Sequence, residues 1–531
     1  MIVVPFSFFA DFYTRGEGRE ALNVKSACEG ELLWPTNYDG FRSSKPPMYY
    51  WISCPFYKLW ESEFSVRLPS VISAFVVLWV CLYPLSRVIG ERPSIIAALL
   101  LSTSPAFISN AEIARLDMLH SGSLALAWIS LIVSNRYSLA VCSGLFLTIS
   151  TLTKGPVALV LTALSFGIMF VFLQDRRLAW RAIVSMVVAT AFSALWYVVV
   201  YSSFGKSFIQ VFWQENINRF FGDNVPHSKN AAEFIFLALL GLSPVSLCLL
   251  AVKLLLWYKT CSSTFSRKQI SLAAIRESLN RFIADDRLIF KLAVACLVPI
   301  IFYSFSEGKR PAYALVSVIF ASIIIGTWAD KLKRVEKIQF FKIFNRLALI
   351  CIFGLTTVSL GSVVYVFLSE DQFIRSNLSF TVKALIFSLF VAVYYIWLRR
   401  FYLYNPFTSF LSSAVTISTV CIFLFNTVLG VSVSKILSHK NLASWIKNIN
   451  KQNIPVYSYD YEYYATKFYL HEKIESFKPF KSPPMLVIMP EASLKKFAEK
   501  IWFGRRIPEV YATYPGRVDK IRNKTIVIKI E

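Results

Sequence analysis

A succession of long apolar runs constrains this chain more than any other feature. The runs fall near 1–10, 68–86, 93–109, 119–134, 137–153, 155–173, 182–204, 233–257, 289–305, 311–328, 347–368, 379–398 and 406–432 of the 531 residues. A helix needs roughly 17–25 apolar residues to cross the hydrocarbon core, and backbone in hydrocarbon must satisfy its own hydrogen bonds. Only 17% of the residues are charged, against about 25% in soluble domains. The expected fold class is an all-α polytopic membrane protein of about 13 transmembrane helices, by count of the runs. The first run is too short to span, and it lacks the basic region and cleavage site of a signal peptide.

The net charge of +24 is placed by topology. The stretches 174–181, 259–288, 331–346 and 399–401 are basic and are assigned to the cytoplasmic side by the positive-inside rule. The loops 11–65, 110–118, 153–155, 205–232, 306–310 and 369–378 then lie outside, with the last hundred residues. A basic face on a soluble module is missing, so no nucleic-acid partner is expected. The boundary is set at 1–432 for the membrane module and 433–531 for a small α/β domain. In that domain 454–460 and 525–531 read as strands and 491–501 as a helix. Of nine cysteines, only Cys28 and Cys54 share an outer loop in which they can pair. His120, His227, His439 and His471 show no metal-ligand spacing among themselves.

The informative residues are charges at the outer ends of the runs, where ionised side chains are costly and mark function by default. Glu17 lies between Gly16 and Gly18, glycines that permit a sharp turn and close approach of a ligand. The helix pattern after it suits the membrane interface. In 110–120, Glu112 and Arg115 are three apart and would pair on a helix face. Asp117 falls on roughly the opposite side and lacks that partner, so a ligand or a distant cation is required. Lys154 sits in a hinge that turns on Gly155–Pro156. Glu215, Arg219 and His227 share one outer loop, and Lys309, Arg310 and Tyr313 another. Each cation alone is explained by snorkelling to lipid phosphate. Lys45, Lys154, Lys309 and Arg310 on one face, against the positive-inside trend, are better explained by a phosphorylated ligand. In "SSKPPMYYW", Pro46 and Pro47 bias Lys45 to extended backbone, and Tyr49, Tyr50 and Trp51 suit the headgroup level.

The order GEGREA, SKPPMYYW, RLPS, ARLDML, TLTKGP, QENINRF and SEGKRPAY resembles the polyprenyl-phosphate-sugar-dependent glycosyltransferases over roughly 10–330. That superfamily includes the lipid A aminoarabinose transferases and the protein O-mannosyltransferases. The resemblance implies the GT-C fold, a multi-pass protein of the bacterial inner membrane, and a site and C-terminus on the periplasmic side. It implies Glu17 or Asp117 as catalytic acid residues. Lys45, Arg19, Lys309, Arg310 and Tyr313 are implied at the donor phosphate. Arg115, Lys154, Glu215, Arg219 and His227 are further site candidates. Gly16 stands where the family carries its first acid. Ser44 stands where relatives carry a glutamate that can hold a metal, so no metal is expected and no cofactor is implied.

The reaction so implied moves a sugar from an undecaprenyl-phosphate carrier to a lipid, glycan or protein acceptor, with inversion. The leaving lipid phosphate needs cations, and a hydroxyl acceptor needs a base opposite it. A paired-carboxylate hydrolase is a rival enzyme. A lipid flippase is a rival of another class, but it would place charges near the bilayer midplane in matched halves.

Overall fold

The computed structural model describes residues 7–250, 283–332 and 434–530, with the isolated positions 389 and 393. Gaps inside those ranges fall at 13, 38–41, 223–229, 244–245, 248, 284–285, 435–436, 471–473, 478–483, 502–509 and 515–523. The runs predicted at 347–368, 379–398 and 406–432 lie outside the described residues. So do His227, His471, the outer loop 369–378 and the basic stretches 331–346 and 399–401 almost entirely.

The helices in chain order are α1 (Arg15–Cys28), α2 (Met48–Leu59), α3 (Glu63–Leu82), α4 (Glu91–Ser102), α5 (Pro105–Ala111), α6 (Leu116–Val133), α7 (Tyr137–Lys154) and α8 (Val157–Leu173). They continue as α9 (Arg176–Trp213), α10 (Ala231–Leu240), α11 (Arg287–Ser304) and α12 (Leu315–Leu332). Among the described residues, five helices are long and apolar enough to cross a membrane, or six if the bent pair α4–α5 is one span. The protein is a multi-pass membrane protein.

The apolar run 93–109 folds as two helices bent by 66°. Pro105 cannot donate to the preceding turn, and Ser104 caps the new helix by accepting from Phe107 N–H at 3.3 Å. The Ser104 hydroxyl also donates to Gly241 O at 2.6 Å, which ties the bend to the end of α10. The bundle core centres on Trp128 of α6. Its indole N–H donates to Thr162 on α8 at 2.9 Å, and its ring stacks on Phe320 of α12 at 5.9 Å. Small residues let helices approach closely, as in other membrane bundles. A Cβ at Gly144 would fall 2.6 Å from Val188 of α9, and one at Gly326 would fall 2.8 Å from the backbone of α4.

Helix α9 does not stop where its apolar run ends. It continues through Gly205, whose φ of 51° breaks the helical path. Phe208 then folds back on Trp196 and Trp34, at 5.7 and 5.5 Å between ring centroids.

The C-terminal unit holds α13 (His439–Ile449), α14 (Tyr464–Leu470) and α15 (Leu494–Ile501). Its strands are β1 (Val456–Ser458), β2 (Glu475–Ser476), β3 (Met485–Pro490), β4 (Val510–Thr513) and β5 (Thr525–Ile530). They form one mixed sheet in the order β2-β1-β3-β5-β4. β1 is parallel to β2 and β3, and β5 is antiparallel to β3 and β4. The predicted strands at either end of the unit and the predicted helix appear as β1, β5 and α15. β3, hydrophobic throughout, escaped the sequence reading because both its faces are covered and it does not alternate.

Two expectations for α1 are corrected. Gly16 and Gly18 do not make a sharp turn. They lie inside α1, which starts at the Thr14 cap. The apolar face of α1 does not lie on lipid either. Ala21, Leu22, Val24 and Ala27 pack with Tyr49, Tyr50 and Val66, and with Ala465 and Phe468 of the C-terminal unit. A Cβ on Gly18 would fall 2.7 Å from Ala465 Cα, so α14 docks directly on the α1 backbone. Cys28 and Cys54 are joined in a disulfide with their Cα atoms 5.4 Å apart, which clips the end of α1 to α2.

Candidate active site

The loops assigned to one side of the membrane meet at one end of the bundle. Lys45 approaches Glu215 at 2.8 Å, and Lys154 approaches Asp117 at 2.7 Å. Glu307 N–H donates to Phe220 O at 3.1 Å and closes the ring of loops. The other end is marked by Arg181, which donates to Leu131 O and to Asn135, and by Lys291 beside Asp175 at 3.7 Å.

Lys45 is held by a buried polar chain. The Ser43 hydroxyl accepts from Lys45 N–H at 3.2 Å and lies 3.0 Å from Lys45 O. Ser43 also bonds the Tyr50 hydroxyl at 3.0 Å, and that hydroxyl donates to Glu20 at 2.7 Å. Burial, and then the charge of Glu20, push the Tyr50 phenol well above its usual pKa, so it remains a donor. Glu20 in turn accepts from Arg19 at 2.6 Å. Pro47 caps α2 just beyond, so the lysine leaves a fixed helix start.

Lys154 is the last residue of α7. Gly155, with φ of 117°, ends that helix in a conformation a side chain would resist, and α8 begins at Val157. The Lys154 ammonium sits 4.1 Å from the centroid of the Tyr313 ring, itself packed on Tyr303 at 4.7 Å. Arg115 and Arg310 add positive potential at Asp117. The distant cation that Asp117 required is therefore Lys154. Lys45, Lys154, Glu215, Asn216, Tyr303 and Tyr313 line a common cavity of about 70 Å³, closed on one side by Phe220 and Phe302.

Other candidates lie apart from that lining. Glu17 is wholly buried and accepts from Arg67 at 2.9 Å and from Ala114 N–H at 3.2 Å. Arg67, equally buried, also donates to Ser7 O and Ala10 O at 3.1 and 2.6 Å. Arg19 is engaged by Glu20, and Lys309 is buried beside the lining residue Gly308. The expected helical pairing of Glu112 with Arg115 is corrected: α5 ends at Ala111 and the chain bends before α6. Ala114 N–H goes to the Glu17 carboxylate instead of a helix carbonyl, and Arg115 lies across Gly16, 3.2 Å from where a Cβ would stand. The Arg219 side chain and His227 lie outside the described residues. Among the described residues no group of three His, Cys, Asp or Glu side chains is placed to hold a metal ion.

Sequence reasoning missed Glu20 and Tyr50 as supports of Lys45. Their contact spans 30 residues, for which a single sequence carries no signal.

Comparison with solved structures settles the architecture. ArnT from Cupriavidus metallidurans bound to undecaprenyl phosphate superposes with a TM-score of 0.73 over 99% of this chain and 96% of that one, at 16% identity. The fold is GT-C. The apo state of the same protein superposes on this GT-C chain with a TM-score of 0.68. A profile described as dolichyl-phosphate-mannose-protein mannosyltransferase matches residues 44–201, the part that carries Lys45, Asp117 and Lys154. An uncharacterized protein of Aquifex aeolicus is 26% identical over 57% of this chain and 64% of its own length. An undecaprenyl phosphate-alpha-4-amino-4-deoxy-L-arabinose arabinosyl transferase of Pseudomonas fluorescens is 26% identical over 51% of this chain and 46% of its own. The chain thus spans less than two thirds of the length of these curated relatives.

Proposed function

We propose that the protein is a membrane glycosyltransferase that moves a sugar from an undecaprenyl-phosphate carrier to an acceptor on the periplasmic side of the inner membrane. One observation carries this reading: Lys45 and Lys154, each beside a carboxylate, line one cavity at the end of an apolar bundle. A polyprenyl tail lies among the spans while its phosphate exchanges for Glu215 and Asp117 at the two ammonium groups. ArnT of the same fold was solved with undecaprenyl phosphate, and the mannosyltransferase profile covers both lysines.

In the reaction, a hydroxyl of the acceptor loses its proton to Asp117 and its oxygen attacks the anomeric carbon. The bond from that carbon to the phosphate oxygen breaks, and the electron pair leaves with the polyprenyl phosphate. Lys45 and Lys154 neutralise the developing charge, with Arg310 or Lys309 adding field. Asp117 takes the base role in preference to Glu17, because it sits 2.7 Å from the lining residue Lys154, whereas Glu17 is sealed behind Arg67. An acceptor phosphate is already anionic and dispenses with the base.

Membranes supplied with labelled undecaprenyl-phosphate sugar test the reading. Lys45→Ala is expected to lower transfer by about 10²–10³ and Asp117→Asn by about 10²–10⁴, at unchanged expression. Undiminished transfer in both variants would sink the assignment.

A further inference from the structure

A second cavity opens where the C-terminal unit meets the bundle. It measures about 250 Å³, just under the roughly 300–1,000 Å³ of drug-sized ligand sites. Both units build it. Tyr57 comes from α2, Glu61 from the loop before α3, Glu63 from the first position of α3, Lys440 and Lys447 from α13, and Tyr469 from α14. The walls are fixed. The Tyr469 hydroxyl accepts from Phe12 N–H at 2.8 Å and donates to Glu63 at 2.9 Å. Phe468, at the back, packs on Phe12 and Tyr57 at 5.2 and 6.0 Å between centroids. Lys440 reaches Glu63 at 3.7 Å and lies 5.7 Å over the Tyr469 ring.

The chemistry of this lining differs from that of the first cavity. Two carboxylates and two ammonium groups surround three aromatic rings. A phosphate alone would leave the carboxylates opposed, and an acyl chain would give none of the four charges a partner. A ring that carries hydroxyls on its rim and C–H groups on its faces satisfies both parts. Its hydroxyls donate to Glu61 and Glu63 and accept from Lys440 and Lys447, while a C–H face lies on an aromatic ring. The cavity stands at the level where α3 enters the membrane, next to Leu59 and Trp60, which are 76% and 62% exposed.

We propose that this seam cavity is a saccharide-binding site. Its role rests on the transferase reading: the two cavities share no lining residue, so it holds a sugar of the acceptor remote from the reacting hydroxyl, which itself reaches the cavity of Lys45 and Lys154. The sugar is either free or the headgroup of a lipid.

The test uses the full chain in nanodiscs. In one arm, saturation-transfer NMR measures glucose, glucosamine, glucose 6-phosphate and galacturonate in solution. In the other, the nanodisc contains a galactosyl diacylglycerol and the sugar protons are observed. Saturation is expected for at least one sugar. Signal only in the second arm identifies a lipid headgroup, and signal in the first identifies a free saccharide. Ser444→Trp, at an exposed position of the lining, is expected to weaken that binding about tenfold, and Glu61→Gln to weaken it as well. Thermal stability and undecaprenyl phosphate binding should stay unchanged. No saturation in either arm, or equal saturation in Ser444→Trp, overturns the proposal. Failure of wild-type membranes to consume labelled donor overturns the transferase reading instead and leaves the sugar binding standing.

Discussion

Glu17 and Arg67 are both fully buried and form one ion pair. Removing one partner of a buried pair leaves the other charge uncompensated, at a cost of about 3–5 kcal/mol. Glu17→Gln is therefore expected to lower the thermal midpoint sharply in detergent, and the protein that remains folded should still bind undecaprenyl phosphate. A variant with normal stability and no transfer would return Glu17 to the catalytic role. Glu112 supplies a pH effect. Burial, opposed by Arg67 and reinforced by Glu17, pushes its carboxyl from 4.5 up to about 8. The folded protein holds that proton where the unfolded chain has lost it. The contribution of the protonated form to stability is full below pH 4.5, declines as pH rises, and is gone above about 8. Unfolding midpoints measured across that interval should fall with pH in the wild type and less in Glu112→Gln.

At the scale of elements, α1 is the piece that joins the parts. The disulfide clips its end to α2, its Glu20 supports Tyr50 and hence Lys45, and its Gly18 carries α14. Gly18→Ala is expected to push α14 off α1, because the new methyl would overlap the Ala465 backbone. Hydrogen exchange in α14 should rise at least about tenfold, the equivalent of about 1.4 kcal/mol of lost docking. Unchanged exchange would show that the contact relaxes. Much of α1 was legible in the sequence as a helix with an apolar stripe. What covers the stripe was not, since a stripe facing lipid and a stripe facing another domain have the same composition. Lys154 and Asp117 were legible for a different reason: a charge at the end of an apolar run stands out against its neighbours, as Lys45 does before its two prolines. The pairing of Lys154 with Asp117 and of Lys45 with Glu215 was illegible, because it depends on how α6, α7 and α9 are placed.

Across the whole molecule, the ring of loops around Lys45 and Lys154 defines one end and Asp175, Arg181 and Lys291 define the other. A membrane-impermeant maleimide applied to intact cells should label Glu61→Cys and not Arg136→Cys, both exposed positions at opposite ends. The reverse pattern would invert the assigned orientation. The apolar runs mark the spans without any knowledge of contacts, and the sidedness expected from the basic loops is what this labelling tests. The bend at Ser104 and the continuation of α9 past Gly205 are not readable that way. Both are set by tertiary partners, Gly241 for the one and Trp34 with Trp196 for the other.

Each of the cavity's two lysines is already paired with a carboxylate. Any anionic phospholipid that drifts to the rim meets two ammonium groups that are engaged. A visitor must break two ion pairs to enter, and a headgroup with a single contact recovers only part of what it disrupts. On the proposed reading, the paired arrangement favours a ligand that engages both ammonium groups at once over the most abundant anions in the bilayer.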